Sequence, residues 1–321
     1  MIIAHLAAMT LALAADRIIG DPPSWPHPVR WIGSFILFVE RKWNKGKYRK
    51  TKGVLHLAFA LLLVLFFTGG LIWTAYWIHW LAGFFSEVIL ITSALAAKSL
   101  KEAALEVAKP LEQGNLQEAR KKLSWIVGRD TDELKEKEIV RGTVETVAEN
   151  TSDGITAPLF WAFLGGAPGI WLYKAINTGD SIVGYRNERF HDYGWAWAKM
   201  DDLANWVPAR ITGWVMLLTM KKSVHSLKDL FKRLPKEAKK HPSPNSGWGE
   251  AAVALLLNIK LGGTNSYQGI PSNRPIIGLG TDKLTVHHIH QSLLIMNRTI
   301  MLFLLICWLG GILYVIAFPW G

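Results

Sequence analysis

Cysteine is almost missing from this chain: Cys307, inside an apolar stretch, is the single one. That excludes an internal disulfide and any Cys-based metal site. Charge is scarce as well, since Asp, Glu, Lys and Arg together make up 19% of residues, against about a quarter in a soluble globular chain. There is no Walker A sequence, because Gly46-Lys47 is followed by Tyr48, so a nucleotide site must be of another kind. Internal repeats and low-complexity tracts are also lacking. The apolar run Ile2 to Ala15 has no basic flank of the signal-peptide type. It reads as a short first membrane helix closed by Asp16-Arg17.

What is present points to a bilayer. Half of the residues are hydrophobic and 16 are Trp, a residue that favours the membrane–water interface. Mean hydropathy is +0.18. The net charge of +11 is concentrated, with fifteen of the 36 Lys and Arg in Arg41 to Lys52 and Lys221 to Lys240. Basic runs serve nucleic-acid binding in some proteins, but no aromatic-basic binding module accompanies these, so no nucleic-acid partner is expected. Each abuts an apolar segment, and the positive-inside rule places both on the cytoplasmic side.

Val54 to Phe85 holds no Asp, Glu, Lys or Arg. As one helix it would run about 48 Å at ~1.5 Å per residue, against a hydrocarbon core of ~30 Å. Extended to Ala97 it gives a two-span hairpin with Gly69-Gly70 as its break. Lys98 to Val127 repeats apolar residues at helical spacing with charges between, divided by Gly114-Asn115, and a further helix is expected from about Asp132 to Asn150. Ile155 to Ile176 is apolar but broken by Pro158, Gly165-Gly166 and Pro168-Gly169. Such breaks are tolerated where backbone lines a cavity, so the segment either spans once or enters and leaves on one side. Leu203 to Met220, with Arg210 in its middle, Gly249 to Leu261, and Thr299 to Pro319 are the remaining apolar helices. The expected fold class is all-α, a polytopic helical integral membrane protein with an embedded cytoplasmic helical segment. One membrane domain is expected over 1–321: N-terminal spans and a proline-rich ledge in 1–97, a soluble helical segment in 98–150, and C-terminal spans with polar loops in 151–321.

Five segments carry chemistry. In 21–33, four prolines fix φ and make a rigid ledge that bears His27 and Arg30; a stiff connector would look the same. In 145–154, Glu145 and Glu149 lie four apart on one helix face and repel by a few tenths of a kcal/mol. With Asn150 and Asp153 they form a set of hard oxygen ligands of the kind Mg²⁺ takes. In 177–190, Asn177, Asp180, Arg186 and Arg189 mix amide, carboxylate and guanidinium, and Arg pairs bidentately with carboxylate and phosphate oxygens. In 201–210, Asp202 follows Asp201 at a helix start and Arg210 sits in an apolar stretch, where ionisable residues mark function. In 243–250, Asn245 and Ser246 open a helix whose free N–H groups favour anions, and Glu250 follows in its first turn. His287, His288 and His290 are set aside as a metal site, because no acid or Cys lies nearby in sequence.

In order along the chain, GDPPSWPHPVRWIG at 20–33, IVGRDT at 126–131, VAENTSDGITAPLFW at 147–161, YKAINTGDSIVGYRNERF at 173–190, DDLANWVPARIT at 201–212 and SPNSGWGEAAVA at 243–254 together resemble the adenosylcobinamide-phosphate synthases of cobalamin biosynthesis, the CbiB/CobD family. The resemblance covers nearly the whole chain. It implies a multi-spanning ligase of the cell (inner) membrane that joins adenosylcobyric acid to aminopropanol or its phosphate, with ATP and Mg²⁺, giving adenosylcobinamide or its phosphate. Other late enzymes of the cobalamin pathway are candidate partners. On this view Glu149, Asp153, Asp180 and Asp202 are metal or acid/base groups, with Glu145 and Glu250 as second choices for metal. Arg186, Arg189 and Arg210 are phosphate or carboxylate clamps, joined by Asn150, Asn177, Asn245 and Ser246. His27 and Arg30 contact corrin or phosphate. Because ATP is cytoplasmic, residues 155–176 are predicted to be re-entrant, so that all five segments meet on the cytoplasmic side. A transporter or a non-catalytic membrane sensor of the same fold are the rival readings.

Overall fold

Hydrocarbon offers backbone amides no water to bond, so apolar stretches must close their hydrogen bonds within helices. The computed structural model, which describes residues 2–20, 27–185, 187–220 and 224–317, follows that rule. In chain order the helices are α1 (Ile2–Ile18), α2 (Pro28–Trp43), α3 (Arg49–Ile78), α4 (Trp80–Thr92), α5 (Ala97–Glu112), α6 (Leu116–Ser124) and α7 (Glu136–Thr151). A π-helical turn, Ser152–Thr156, leads into α8 (Ala157–Val183), α9 (Trp195–Ala204), α10 (Trp206–Leu217), α11 (Leu227–Ala238) and α12 (Ser246–Leu257). Two strands, β1 (Leu261–Tyr267) and β2 (Ile270–Ile277), precede the last helix, α13 (Val286–Ala317).

Among the described residues four helical stretches are long and apolar enough to cross a membrane: Arg49–Ile78, Trp80–Glu112, Glu136–Val183 and Val286–Ala317. This is a multi-pass helical membrane protein. Along α3 and α4 large side chains face outward, among them Leu62, Phe66 and Phe67, and Trp73, Trp77 and Trp80 cluster where one helix gives way to the next. Exposed apolar residues in such density suit lipid, and Trp at helix ends suits its interface.

The chain divides into two compact units. The first holds residues 1–96, 157–205 and 304–321, hence α1 to α4, α8, α9 and the end of α13. Its core gathers Ile36, Leu57, Ala60, Val183 and Trp197. The second holds residues 97–156 and 206–303, hence α5 to α7, the π-helical turn, α10 to α12, both strands and the start of α13.

In the first unit, α8 is bent back on itself. Gly165 (φ −135°, ψ 16°) and Gly166 (φ 58°, ψ −151°) are non-helical, and the left-handed φ of Gly166 is one that side-chain-bearing residues seldom adopt. The two limbs lie side by side: a Cβ on Gly169 would sit 2.4 Å from the Trp161 carbonyl oxygen, and Ala157 packs with Tyr173 and Ile176. Length alone would allow Glu136–Val183 to span as a rod, but the doubled limbs rule a straight rod out. The bend is held by Glu87, fully buried, whose carboxylate accepts from the Ala167 amide (3.2 Å) and from Tyr76 (3.1 Å) and contacts His5 Nδ1 (2.7 Å).

Several boundaries differ from the sequence reading. The hairpin does not break at Gly69-Gly70, which lie inside α3; the chain turns at His79 (φ −165°, ψ 142°), whose Nδ1 caps the next helix by accepting from Leu81 N at 3.2 Å. A glycine pair facing lipid does not open a helix, because the freed N–H groups would have no partner; at Gly165-Gly166 the buried Glu87 supplies one. The first helix continues through a buried Asp16 to Ile18 rather than closing at Asp16-Arg17. Leu203 to Met220 is not one helix: Asn205 separates α9 from the 12-residue α10, about 18 Å long and too short to span. The expected helix to Leu261 ends at Leu257, where Asn258 is left-handed (φ 52°), and an unexpected hairpin follows. Its turn is Gln268-Gly269 with φ of 53° and 78°, the paired positive φ of a type I′ turn. The helices expected on either side of Gly114-Asn115 are found as α5 and α6.

Candidate functional site

The second unit builds a buried polar floor on α7. The last turns of α7, from Glu145 to Thr151, and the π-helical turn present Glu145, Glu149, Asn150 and Asp153. Glu145 is fully committed: its Oε2 accepts from Arg129 Nη2 at 2.5 Å, its Oε1 accepts from Gly262 N at 2.8 Å, and Arg141 Nε lies 3.9 Å away. Asn265 Oδ1 accepts from both Arg129 Nη1 and Arg141 Nη2 at 2.8 Å, and Arg141 also donates to the Gly262 and Thr264 carbonyls. These charges pin the β1–β2 hairpin onto α7. At the hairpin tip Asp130 accepts from Ser266 Oγ (2.7 Å), Gln268 N (3.0 Å) and Gly269 N (2.8 Å). Those hydrogen bonds hold its carboxyl below the usual range.

One turn on, Glu149 is only half-buried, and its Oε1 accepts from Ser246 Oγ at 2.8 Å. Its Oε2 has no protein partner among the described residues. The two helices meet this closely because α12 opens with glycines: a Cβ on Gly249 would lie 2.5 Å from the Ala148 carbonyl oxygen. Ser243 Oγ accepts from Asn245 N (3.3 Å) and Ser246 N (3.2 Å), and Asn245 is the buried N-cap residue of α12. Arg210 reaches the same helix start, donating to Asn245 Oδ1 at 3.3 Å and to the Trp206 carbonyl at 2.5 Å, and it stacks over Trp206 and Trp248. Arg210 is therefore not a lone charge in lipid but a half-buried guanidinium beside a helix N-terminus.

Beneath lies a pair the sequence reading missed. His241 Nε2 stands 3.5 Å from Glu250 Oε1, both side chains buried, and neither atom has a hydrogen bond. Burial pushes the Glu250 carboxyl well up, and the nearby Glu145 and Glu149 charges add to this, partly offset by Arg274 and Arg129. Burial and the Arg274 charge push His241 down. Both shifts disfavour the charged forms of the two groups. His241 sits at the edge of a basic run, which concealed it.

The first unit carries a second polar group. Tyr173 donates to Asn205 Oδ1 (2.8 Å), Asn205 donates to Asp201 Oδ2 (3.0 Å), and Asn177 donates to Asp201 Oδ1 (3.3 Å). Asp180 is within electrostatic reach of Asp201 and Asp202, and Lys199 lies 3.5 Å from Asp202. The amide-braced acid here is Asp201, with Tyr173 and Asn205 as further members; α8 and α9 run side by side and supply all of them. Elsewhere in this unit Arg189 forms a fork with buried Glu40, Nε to Oε1 at 3.1 Å and Nη2 to Oε2 at 2.6 Å. His27 caps α2, accepting from Val29 N at 3.2 Å, and Arg30 is exposed on the first turn of that helix. The ledge residues 21–26 and Arg186 lie outside the described residues. Asn150 donates to the Thr146 carbonyl at 3.0 Å, a bond within its own helix. His290 contacts Glu112 at 2.7 Å. No group of three or more His, Cys, Asp or Glu is placed to hold a metal ion among the described residues.

Comparison with known proteins agrees with this assembly of segments. The family model for CobD/Cbib proteins matches residues 9–296. The cobalamin biosynthesis protein CobD of Halalkalibacterium halodurans is 56% identical over 319 residues, covering 99% of this chain and all of the relative. The cobalamin biosynthesis protein CbiB of Salmonella arizonae is 42% identical, covering 96% of this chain and 99% of its own length. CobD of Clostridium perfringens is 43% identical over 86% of this chain and 89% of its own. No solved structure matches significantly. With a family model spanning most of its length and relatives aligned end to end, the chain belongs to the CobD/CbiB family.

Proposed function

We propose that this protein acts in cobalamin biosynthesis as an ATP-dependent amide ligase, joining the free carboxylate of adenosylcobyric acid to the amine of aminopropanol or its phosphate. The observation that supports it is the end-to-end match to cobalamin biosynthesis proteins, since the six sequence segments of the resemblance all fall within the matched length or at its edges.

A carboxylate and an amine do not condense unaided in water, so the carboxylate is activated. In the proposed route a carboxylate oxygen attacks the γ-phosphorus of ATP and ADP leaves. The amine nitrogen then attacks the acyl carbon, the carbon–oxygen bond to phosphate breaks, and the nitrogen loses a proton to a base. The α12 N-terminus, with Ser246, Asn245 and the Arg210 guanidinium beside it, is the group suited to phosphate oxygens, because free N–H groups and a planar cation both complement anions. Mg²⁺, when bound with the nucleotide, supplies positive charge that offsets the phosphate oxygens. It takes only one or two carboxylates beside phosphate and water, so a three-acid cage is not needed. Glu149, half-buried with one oxygen uncommitted, and Asp153 on the next turn fit that demand. Glu145 does not, because protein donors occupy both its oxygens. Glu250, buried against His241, is likewise left out. For the amine we assign Asp180, Asp201 and Asp202 with Asn177: an acidic, amide-braced group attracts an ammonium and takes up its proton.

The test is product formation by purified protein in nanodiscs. Turnover should require ATP, adenosylcobyric acid and the amine together. Glu149→Ala and Asp180→Ala should each lower it by at least a hundredfold, about 2.7 kcal/mol of transition-state stabilisation. ATP turnover independent of the two other substrates would remove the assignment. We place the reacting groups on the cytoplasmic side, which the basic flanks and the doubled limbs of α8 support; labelling of Ser181→Cys from the outer face alone would refute that.

A further inference from the structure

A cavity of about 430 Å³ opens at the start of α3, lined by Glu40, Arg41, Asn44, Lys45, Arg49 and Arg189. Four of these six are cations and one is an acid. The acid is already spent: both Glu40 oxygens are forked by Arg189, and Asn44 Nδ2 adds a third bond at 2.8 Å. Asn44 also donates to the Arg189 carbonyl (3.0 Å) and accepts from Arg49 Nε (2.7 Å). Arg49 in turn donates to the Arg189 and Glu188 carbonyls. The floor is therefore a closed network that fixes two guanidinium groups in place. Above it Arg41 and Lys45 form no ion pair within 4 Å among the described residues, though the Arg41 charge acts on Glu40, and both are exposed.

Two further features face the same space. Arg49 is the first residue of α3, a 30-residue helix whose N-cap, Tyr48, gives no side-chain acceptor to the first-turn N–H groups. Unmet N–H groups and the helix dipole together favour an anion there. This helix end also marks the level at which a spanning segment leaves the hydrocarbon, since Gly53 to Ile78 carries no charge. Generic positive-inside residues need only lie near the membrane; they need not converge on one cavity whose floor is a buried carboxylate already forked by an arginine.

We propose that this cavity binds the phosphate ester of an anionic ligand at the membrane surface, with Arg41, Lys45 and the first turn of α3 as the contacting groups and Glu40, Asn44 and Arg189 as the frame that positions them. Arg189, read from sequence as a phosphate clamp for the reaction, serves here as part of the frame. The proposal stands apart from the ligase reading and survives its failure. Two sources offer the same chemistry, a phospholipid headgroup and a soluble phosphate.

Native mass spectrometry and thermal unfolding of the full chain separate them. In one arm the protein is in zwitterionic nanodiscs with or without phosphatidylglycerol; in the other it is in zwitterionic nanodiscs titrated with glycerol phosphate, a soluble phosphate ester without a nucleotide. Arg41→Ala with Lys45→Ala should weaken retention of the ligand by about tenfold or more. Lys42→Ala with Lys47→Ala, which removes equal charge outside both the cavity lining and the first turn of α3, should weaken it less than threefold. Selective loss of phosphatidylglycerol binding assigns a lipid, and selective loss of glycerol phosphate binding assigns a soluble ester; either supports the site. Equal effects of the two double variants in both arms, or no effect of either, overturn it. Circular dichroism and size exclusion confirm that each variant is folded, and Arg41→Lys, which keeps the charge, should restore most of the binding.

Discussion

Removing the Glu145 carboxylate is the perturbation with the most to tell. Arg129 and Arg141 are each about 8% exposed and Glu145 3%, so Glu145→Ala strands two guanidinium groups in a dry interior and leaves the Gly262 amide without an acceptor. Breaking a buried pair by deleting one partner costs roughly 3–5 kcal/mol. A chain of this size shifts in Tm by about 2–4 °C per kcal/mol, so a loss on the order of 10 °C is expected. Glu145→Gln keeps an acceptor but not the charge and should fall in between. Replacing the set together, Arg129→Met with Arg141→Met and Glu145→Leu, should recover most of the loss, because a buried ion group and apolar side chains of like volume are often close in stability. The assay is thermal unfolding in one detergent at a fixed scan rate, since unfolding of membrane proteins is commonly irreversible. A shift under about 3 °C for Glu145→Ala would mean that this carboxylate is not the counter-charge of the hairpin, and a direct role in metal binding would return.

Other outcomes follow from single contacts. Gly249→Val would set a side chain against the Ala148 carbonyl oxygen; overpacking of this kind costs about 1–3 kcal/mol, and activity should fall more than Tm, because Ser246 moves off Glu149. Gly166→Ala combines a positive φ with a Cβ 2.4 Å from Glu87 Oε1, so the bend of α8 should loosen and protease should cut near residues 160–170 faster than in the wild type. Burial, with the Glu145 and Glu149 charges, raises the Glu250 carboxyl in the fold above the ordinary value of 4.5 that its unfolded form keeps. Its stabilising share is therefore full below that pH and is lost as pH climbs toward the raised folded value. Glu250→Gln should match the wild type in Tm near pH 4 and exceed it increasingly as pH rises above the ordinary carboxyl range; equal slopes would show that the fold does not raise the Glu250 carboxyl.

The parts of the fold written in local periodicity were legible. Helices α5, α6 and α7 follow from apolar spacing and from Gly114-Asn115, and the broken character of α8 follows from its Gly and Pro pairs. The break at His79 was not legible, because the glycines at 69 and 70 are the usual sign of a turn in water, whereas lipid forbids an open backbone there. The β1–β2 hairpin escaped because β1 is mostly polar and carries Gly262-Gly263, and β2 carries two prolines, residues that weaken a strand signal, leaving Gln268-Gly269 as the turn signal. In the candidate site, Glu149, Ser246, Asn245 and Arg210 were named from sequence and are brought together on α7, α10 and α12. What sequence could not supply is who neutralises whom. Arg129 and Asn265 stand 136 residues apart and Glu40 and Arg189 stand 149 apart, and no local pattern links them. His241 was missed for a related reason: a histidine beside a lysine run looks solvated until its burial is seen.

The reaction itself is open to one direct measurement. Adenosylcobyric acid carrying a heavy-oxygen label in its free carboxylate would be turned over by purified protein with ATP and the amine, and the released inorganic phosphate weighed. Activation through an acyl phosphate places one labelled oxygen in that phosphate, and Glu149→Ala abolishes its appearance. Amide product formed alongside phosphate that carries no label would contradict the account.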